Sequence, residues 1–211
     1  MSTPDARFAC SPDTTYTYAT SMLPPPGISD LAPNGFPTQP FPANAPKVFI
    51  DAMTVRVRVF CVEQKCAVEP ELDEDDPRSW HWVMYAKDDS QPSSHGIPVS
   101  VIRIVPPPHG PHPNGYDDAD EEPYCKLGRV ATMKEWRGKG LSKKLIEEAM
   151  TWLGTNGKAV GSGWKGNVLA HAQVEVEKMY ERTGFRTDEK LGRWDEEGIE
   201  HLGMWRRVPL N

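Results

Sequence analysis

The chain has 211 residues, of which 38% are hydrophobic and 26% charged, and a formal net charge of −6. That length is ample for one continuous core and suits a single domain with or without an arm. The acidic balance argues against a surface built for nucleic-acid phosphates, and neither a bilayer-length apolar run nor an apolar signal segment is visible, so a soluble, cytoplasmic or otherwise intracellular protein without membrane partners is expected.

Cys10, Cys61, Cys66 and Cys125 are too few and too scattered for a disulfide scaffold and read as free thiols. Cys61 and Cys66 lack a second Cys or His pair at a spacing that would complete a metal site. From Pro24 to Pro46 the chain carries eight prolines, each of which removes a backbone donor and fixes its own torsion. This stretch reads as an extended arm rather than regular helix or central strand. Residues 1–45 are therefore set apart as an N-terminal segment with room for a first strand, and 46–211 as the main domain.

Pro46 can open a helix on which Val48, Phe49, Ala52, Met53, Val55, Val59 and Phe60 share a face. An acidic run, Glu69 to Asp76, follows and reads as a solvated loop or a lure for a cationic partner. Trp80–Ala86 and Val99–Val105 read as strands of a meander. The Pro-rich stretch Pro106–Gly115 then leads, as a long loop, into a second acidic run, Asp117–Glu122. His109 and His112 in that loop have no further ligands to make a metal site.

Leu127–Thr132 is a short strand that runs into Arg137-Gly138-Lys139-Gly140-Leu141-Ser142. Behind it Leu141, Leu145, Ala149 and Leu153 line one face of a helix flanked by Ile146 and Trp152, with Lys143–Glu147 and Lys144–Glu148 as i,i+4 pairs. A strand feeding a glycine turn at a helix N-terminus makes an anion site, because free N–H groups and the positive end of the helix dipole converge there. The segment lacks the spacer and Gly-Lys-Ser/Thr ending of a Walker loop and the third glycine of a dinucleotide fingerprint. Val168–Ala172 reads as the next strand, Val174–Arg182 as a helix presenting Val176, Met179 and Tyr180 and ended by Gly184, and the tail as two further strands, from Phe185 and over His201–Val208.

The loop resembles the Arg/Gln-x-x-Gly-x-Gly/Ala pyrophosphate motif of GNAT acetyltransferases, with Arg137, Gly140 and Ser142 at the defining positions and Ser142 replacing the usual glycine or alanine. Arg56–Gln64, the Asp-rich stretch ending at His81, Leu127–Thr132, Ala172-Gln173, Met179–Phe185 and Glu197–His201 look like the ElaA-like subgroup, so the resemblance runs from about Phe49 to Trp205. It implies an α/β (α+β) GNAT fold: a strongly twisted, mixed, mostly antiparallel sheet, helices on both faces, and two splayed parallel strands holding the cofactor. It implies acetyl-CoA as cosubstrate, no metal, and a small-molecule or peptide amine as acceptor. Val130, Ala131 and Thr132 would offer backbone groups to the pantetheine, Arg137, Gly138, Lys139, Gly140, Leu141 and Ser142 would cradle the pyrophosphate, and Gln173 would contact the cofactor. Tyr180 would be the general acid for the departing thiolate, with Glu63, His81 and His171 as candidate bases. Arg103 and Arg129 are candidates to bind an acidic acceptor group, and the Trp194 and Trp205 region could pair two copies in a homodimer. A non-catalytic acyl-CoA sensor, or a protein recruiting partners through the proline arm, is the alternative.

Overall fold

A computed structural model describes residues 8–32, 40–91, 95–161 and 163–211. Among these residues, eight strands, paired mostly antiparallel with one parallel pair, and helices make a mixed α/β fold of the expected class. The chain divides into two compact units, Met1–Arg103 with Arg129–Leu145 and Ile104–Gly128 with Ile146–Asn211.

The first unit begins with β1 (Tyr16–Leu23), the strand for which the N-terminal segment had room, paired antiparallel to β2 (Trp80–Asp88) from Tyr16 opposite Asp88 to Leu23 opposite His81. The segment is fixed by Trp136, fully buried, whose indole N–H donates to the Phe8 carbonyl (3.0 Å) and whose ring meets Tyr16 edge-on. In the arm, Ile28–Leu31 forms a single helical turn, α1, despite the flanking prolines. No proline falls inside that turn, which is how it escapes the expectation of no regular helix. Residues 33–39 of the arm lie outside the described residues.

Helix α2 (Lys47–Arg56) starts at Pro46, whose carbonyl accepts from Phe49 and Ile50 N–H groups. It buries Phe49 and Met53 against Leu31 and Leu72 and widens into a π-helix over Val57–Glu63, a geometry that recurs at functional sites. Strand β3 (Ile97–Val105) lies between β2 and β4 (Tyr124–Thr132).

In the second unit the neighbours run β4, β5 (Asn167–Gln173), β8 (Ile199–Arg207) and β6 (Arg186–Thr187), with β7 (Arg193–Glu196) also on β8. The parallel ladder joins Tyr124–Leu127 to Asn167–Ala170 and stops there, although β4 continues to Thr132 and β5 to Gln173. Helix α3 (Leu141–Thr155) buries Leu141, Leu145, Ile146, Ala149 and Leu153, as its periodicity predicts. Glu147, expected to pair with Lys143, takes Arg206 instead (3.1 Å). After α4 (Gly157–Val160), the helix expected over Val174–Arg182 is a 3-10 turn, Val174–Val176, followed by α5 (Glu177–Glu181). That break turns Val176 out to 39% exposure, so Tyr180 alone of the expected face is buried.

The tail holds three strands rather than two. β7 escapes a hydrophobic-pattern reading because it is short and polar, yet the β7–β8 hairpin is specified by Glu197 and Gly198, both at positive φ (52° and 82°), as a two-residue type I′ turn requires. Trp194 is buried in an internal cluster with Tyr124, Leu169 and Leu191, against which Trp205 packs. Trp194 is thus part of the unit's own core, and Trp205 is partly buried against it.

Candidate active site

The glycine segment has the form the sequence suggests. β4 ends at Thr132, a 3-10 turn over Lys134–Trp136 reverses the chain, and Gly138 and Gly140 follow at φ 77° and 73° before α3 opens. A side chain at either glycine would meet nothing within 4 Å, so glycine is required by torsion and the space before the backbone is open. The first-turn N–H groups of α3 lack intrahelical partners, and Lys139, Lys143 and Lys144 are exposed on the same segment. Together they form a cradle that a pyrophosphate fits in charge.

Ser142, the departure from the motif, is held by hydroxyl contacts. Its Oγ lies 2.7 Å from Thr132 Oγ1, which lies 2.7 Å from Ser100 Oγ, and Ser100 donates to the Ala131 carbonyl at 3.0 Å. With Ser100 donating there, Thr132 donates to Ser100 and Ser142 to Thr132, so the extra hydroxyl is bound to β4. Ser142→Ala should therefore change acetyl-CoA affinity by no more than about threefold, the worth of one modest hydrogen bond, as isothermal calorimetry would show.

Arg137 also binds the protein itself. Its Nε donates to the Thr132 carbonyl (3.0 Å), and its two terminal nitrogens donate to Glu63 at 2.6 and 2.8 Å. The structure thus brings Glu63, a candidate base, onto the first residue of the loop, and occupies the carbonyls of Ala131 and Thr132 from side chains. Val130 is half-buried.

Arg129 carries a φ of 49° within β4. A non-glycine residue in that region interrupts the regular torsions of a strand. It lies two residues past Leu127, the final β4 partner in the parallel ladder. Its guanidinium is held by Asp73 (2.9 Å) and Glu71 (3.3 Å). Arg56, wholly buried, binds Glu71 (2.6 Å) and Asp76 (2.7 Å), and Arg103 binds Asp73 (2.6 Å) and Asp76 (2.8 Å). Burial alone would raise the Asp76 carboxyl, but Arg56 and Arg103 outweigh it and hold it far below the usual range. Glu71, Asp73 and Asp76 of the first acidic run are therefore half of an internal ion-pair network, which corrects the reading of them as a solvated loop or lure, while Glu69 and Glu74 are exposed. Arg103 and Arg129 are likewise engaged by carboxylates. The second run is engaged too, Glu121 with His112 (2.6 Å) and Glu122 with Lys165 (2.9 Å), while His109 contacts the Tyr124 carbonyl (2.9 Å).

His81, another candidate base, is fully buried with Nε2 3.0 Å from the Asp76 carbonyl, and burial pushes it down to about 4. In the second unit, Tyr180 is buried edge-on against Phe185, and burial raises its phenol well above the ordinary value. Gln173 closes β5 opposite His201. His171 is the first β5 residue past the parallel ladder. Its Nδ1 lies 3.6 Å from Glu196 Oε1, and Glu196 accepts the Trp194 indole N–H at 2.7 Å. Glu196 was not singled out by the sequence, and Trp194 only as part of a dimer contact. The signal that could have found them is the Glu-Gly turn after Glu196, which folds β7 back along β8.

Comparison with known proteins agrees with this geometry. Residues 115–208 match the model of the acetyltransferase (GNAT) domain. A UPF0039 protein of Schizosaccharomyces pombe is 28% identical over 160 residues, 75% of this chain and 87% of the relative. An acyl-CoA N-acyltransferase of Pseudomonas aeruginosa shares the fold with a TM-score of 0.55 at 22% identity, over 91% of this chain and 99% of that one. Escherichia coli ElaA does so with a TM-score of 0.54 at 18% identity, over 92% and 100%. The glycine cradle at the head of α3 thus stands in a chain whose residues 115–208 match the GNAT acetyltransferase domain and whose fold is shared with these two proteins.

Proposed function

We propose that the protein moves an acetyl group from acetyl-CoA to a primary amine by direct attack, as an ElaA-like member of its superfamily. The observation that carries this reading is the open cradle of Gly138 to Ser142, backed by free helix N–H groups and exposed lysines. These groups fit the pyrophosphate, and the pantetheine would lie along the end of β4 at Val130, since Arg137 already holds the Thr132 carbonyl. Acetyl-CoA supplies the activated thioester when bound. The chain's own work is to hold it, admit an unprotonated amine and stabilise the departing sulfur.

Tyr180 serves the last need. Its raised pKa keeps the phenol protonated across the neutral range, so it offers a hydrogen bond to negative charge developing on sulfur rather than competing as an anion. An acid acting in the transition state contributes about 100-fold or more. Tyr180→Phe should therefore lower kcat by about 100-fold with acetyl-CoA affinity unchanged, as read by thiol release and calorimetry. Full turnover in that variant would make Tyr180 a core aromatic only.

A further inference from the structure

The three candidate bases do not stand equally once their partners are known. Glu63 gives both carboxylate oxygens to Arg137, and His81 is sealed in the first unit with no exposure. His171 differs: its side chain is 14% exposed, and its Nε2 is buried without a hydrogen-bond partner. A buried, unpaired imidazole nitrogen costs free energy unless something else uses it.

The groups around that ring are particular. Glu196 on β7 faces Nδ1 at 3.6 Å, Trp194 on the same strand meets the ring edge-on with centroids 4.8 Å apart, and Gly203 is its register partner on β8. Glu196 is itself fixed by the Trp194 N–H (2.7 Å) and faces His201 Nε2 at 3.9 Å. His201 has its Nδ1 on the Ile199 carbonyl (2.8 Å). Lys126 of β4 and His112 of the preceding loop also act on the ring, and both disfavour its charged form. The contact with His171, against burial and with the Trp194 N–H helping, holds Glu196 at about 2, so the carboxylate is charged throughout the working range. A carboxylate at Nδ1 retains the proton there and presents Nε2 as the lone pair.

We propose that His171 is the base that frees the acceptor amine, and that Glu196 is its positioning residue. This rests on the acyltransfer reading above. His171 Nε2 takes one proton from the acceptor's ammonium group. The freed nitrogen pair forms the C–N bond to the thioester carbon, and the C–S bonding pair leaves on sulfur. The nitrogen's surplus proton passes to sulfur, giving amide and thiol, and His171 returns its proton to water.

The test uses the full chain, acetyl-CoA and a panel of glycinamide, spermidine, glucosamine and a lysine dipeptide. His171→Gln should lower kcat about 100-fold and remove the acid limb of its pH profile, since a general base contributes on that scale. Glu196→Gln, which preserves an acceptor for Trp194, should cost on the order of tenfold and move the acid limb to lower pH, because the removed charge had favoured the imidazolium. The His171 ring resonance followed by NMR against pH should show the same downward move without any turnover. Equal NMR midpoints in wild type and Glu196→Gln would overturn the positioning role. An unaltered profile in His171→Gln would overturn the base. Thiol release from no amine by the wild-type chain would remove the acyltransfer reading and the base with it, leaving the NMR shift to decide only the pairing.

Discussion

Gly140→Asp is expected to abolish measurable acetyl-CoA binding while leaving the protein folded. Gly140 sits at φ 73°, and its carbonyl accepts the Lys144 N–H that starts α3 (3.0 Å). Aspartate tolerates the left-handed region better than most residues, and an added side chain would touch nothing within 4 Å. The penalty to folding is thus about 1 kcal/mol of backbone strain. Binding is affected differently. The carboxylate would occupy the space before the helix N-terminus and itself satisfy the positive end of the dipole, presenting a negative charge to a polyanion in the one place built to receive it. Affinity should fall at least about 100-fold, the effect of two like charges replacing an attraction at short range. Calorimetric titration with circular dichroism as the folding control measures both. Retained affinity would show that the cradle is not where the pyrophosphate binds.

Asp76→Ala should have the opposite signature, with large loss of stability. Asp76 accepts from Arg56, Arg103 and the Asp73 N–H (3.0 Å), with no exposure of its own. Removing it leaves two buried guanidiniums short of a counter-charge, which costs about 3–5 kcal/mol, or on the order of 10 °C in Tm for a chain of this size. A shift of under about 2 °C would mean the network carries little of the fold's stability. The pH dependence follows from the same contacts. Asp73 and Asp76 are held below their ordinary range in the folded state, so they bind protons more weakly there than in the unfolded chain. Their contribution is complete above the unfolded value, about 4, and is lost as pH falls below it. Urea midpoints should drop from pH 5 to pH 3 in the wild type and less steeply in Asp76→Ala.

Local signals carried far. The 3.6-residue period of α3, the apolar runs of β2 and β3, and the glycine turn between β4 and α3 each depend on neighbours in the chain, and each appears where its residues place it. The ion-pair network does not work that way. Glu71, Asp73 and Asp76 look like a solvated run because their three arginines come from α2, β3 and β4, and no periodicity announces such pairing. The helix carrying Tyr180 is shorter than its period suggests because Val174–Val176 takes a 3-10 path. The departure at Ser142 is accounted for by Thr132, which binds its hydroxyl and is itself bound to Ser100. Glu196 was hidden by distance in the chain and by the polarity of β7, since only the hairpin brings it to His171.

The most direct measurement is thiol release from acetyl-CoA in the presence and absence of each amine class, with mass spectrometry of the acceptor. Amine-dependent release with an acetylated product, lost in Gly140→Asp, is the expected result. Tight acetyl-CoA binding with no amine-dependent release from any class would contradict it.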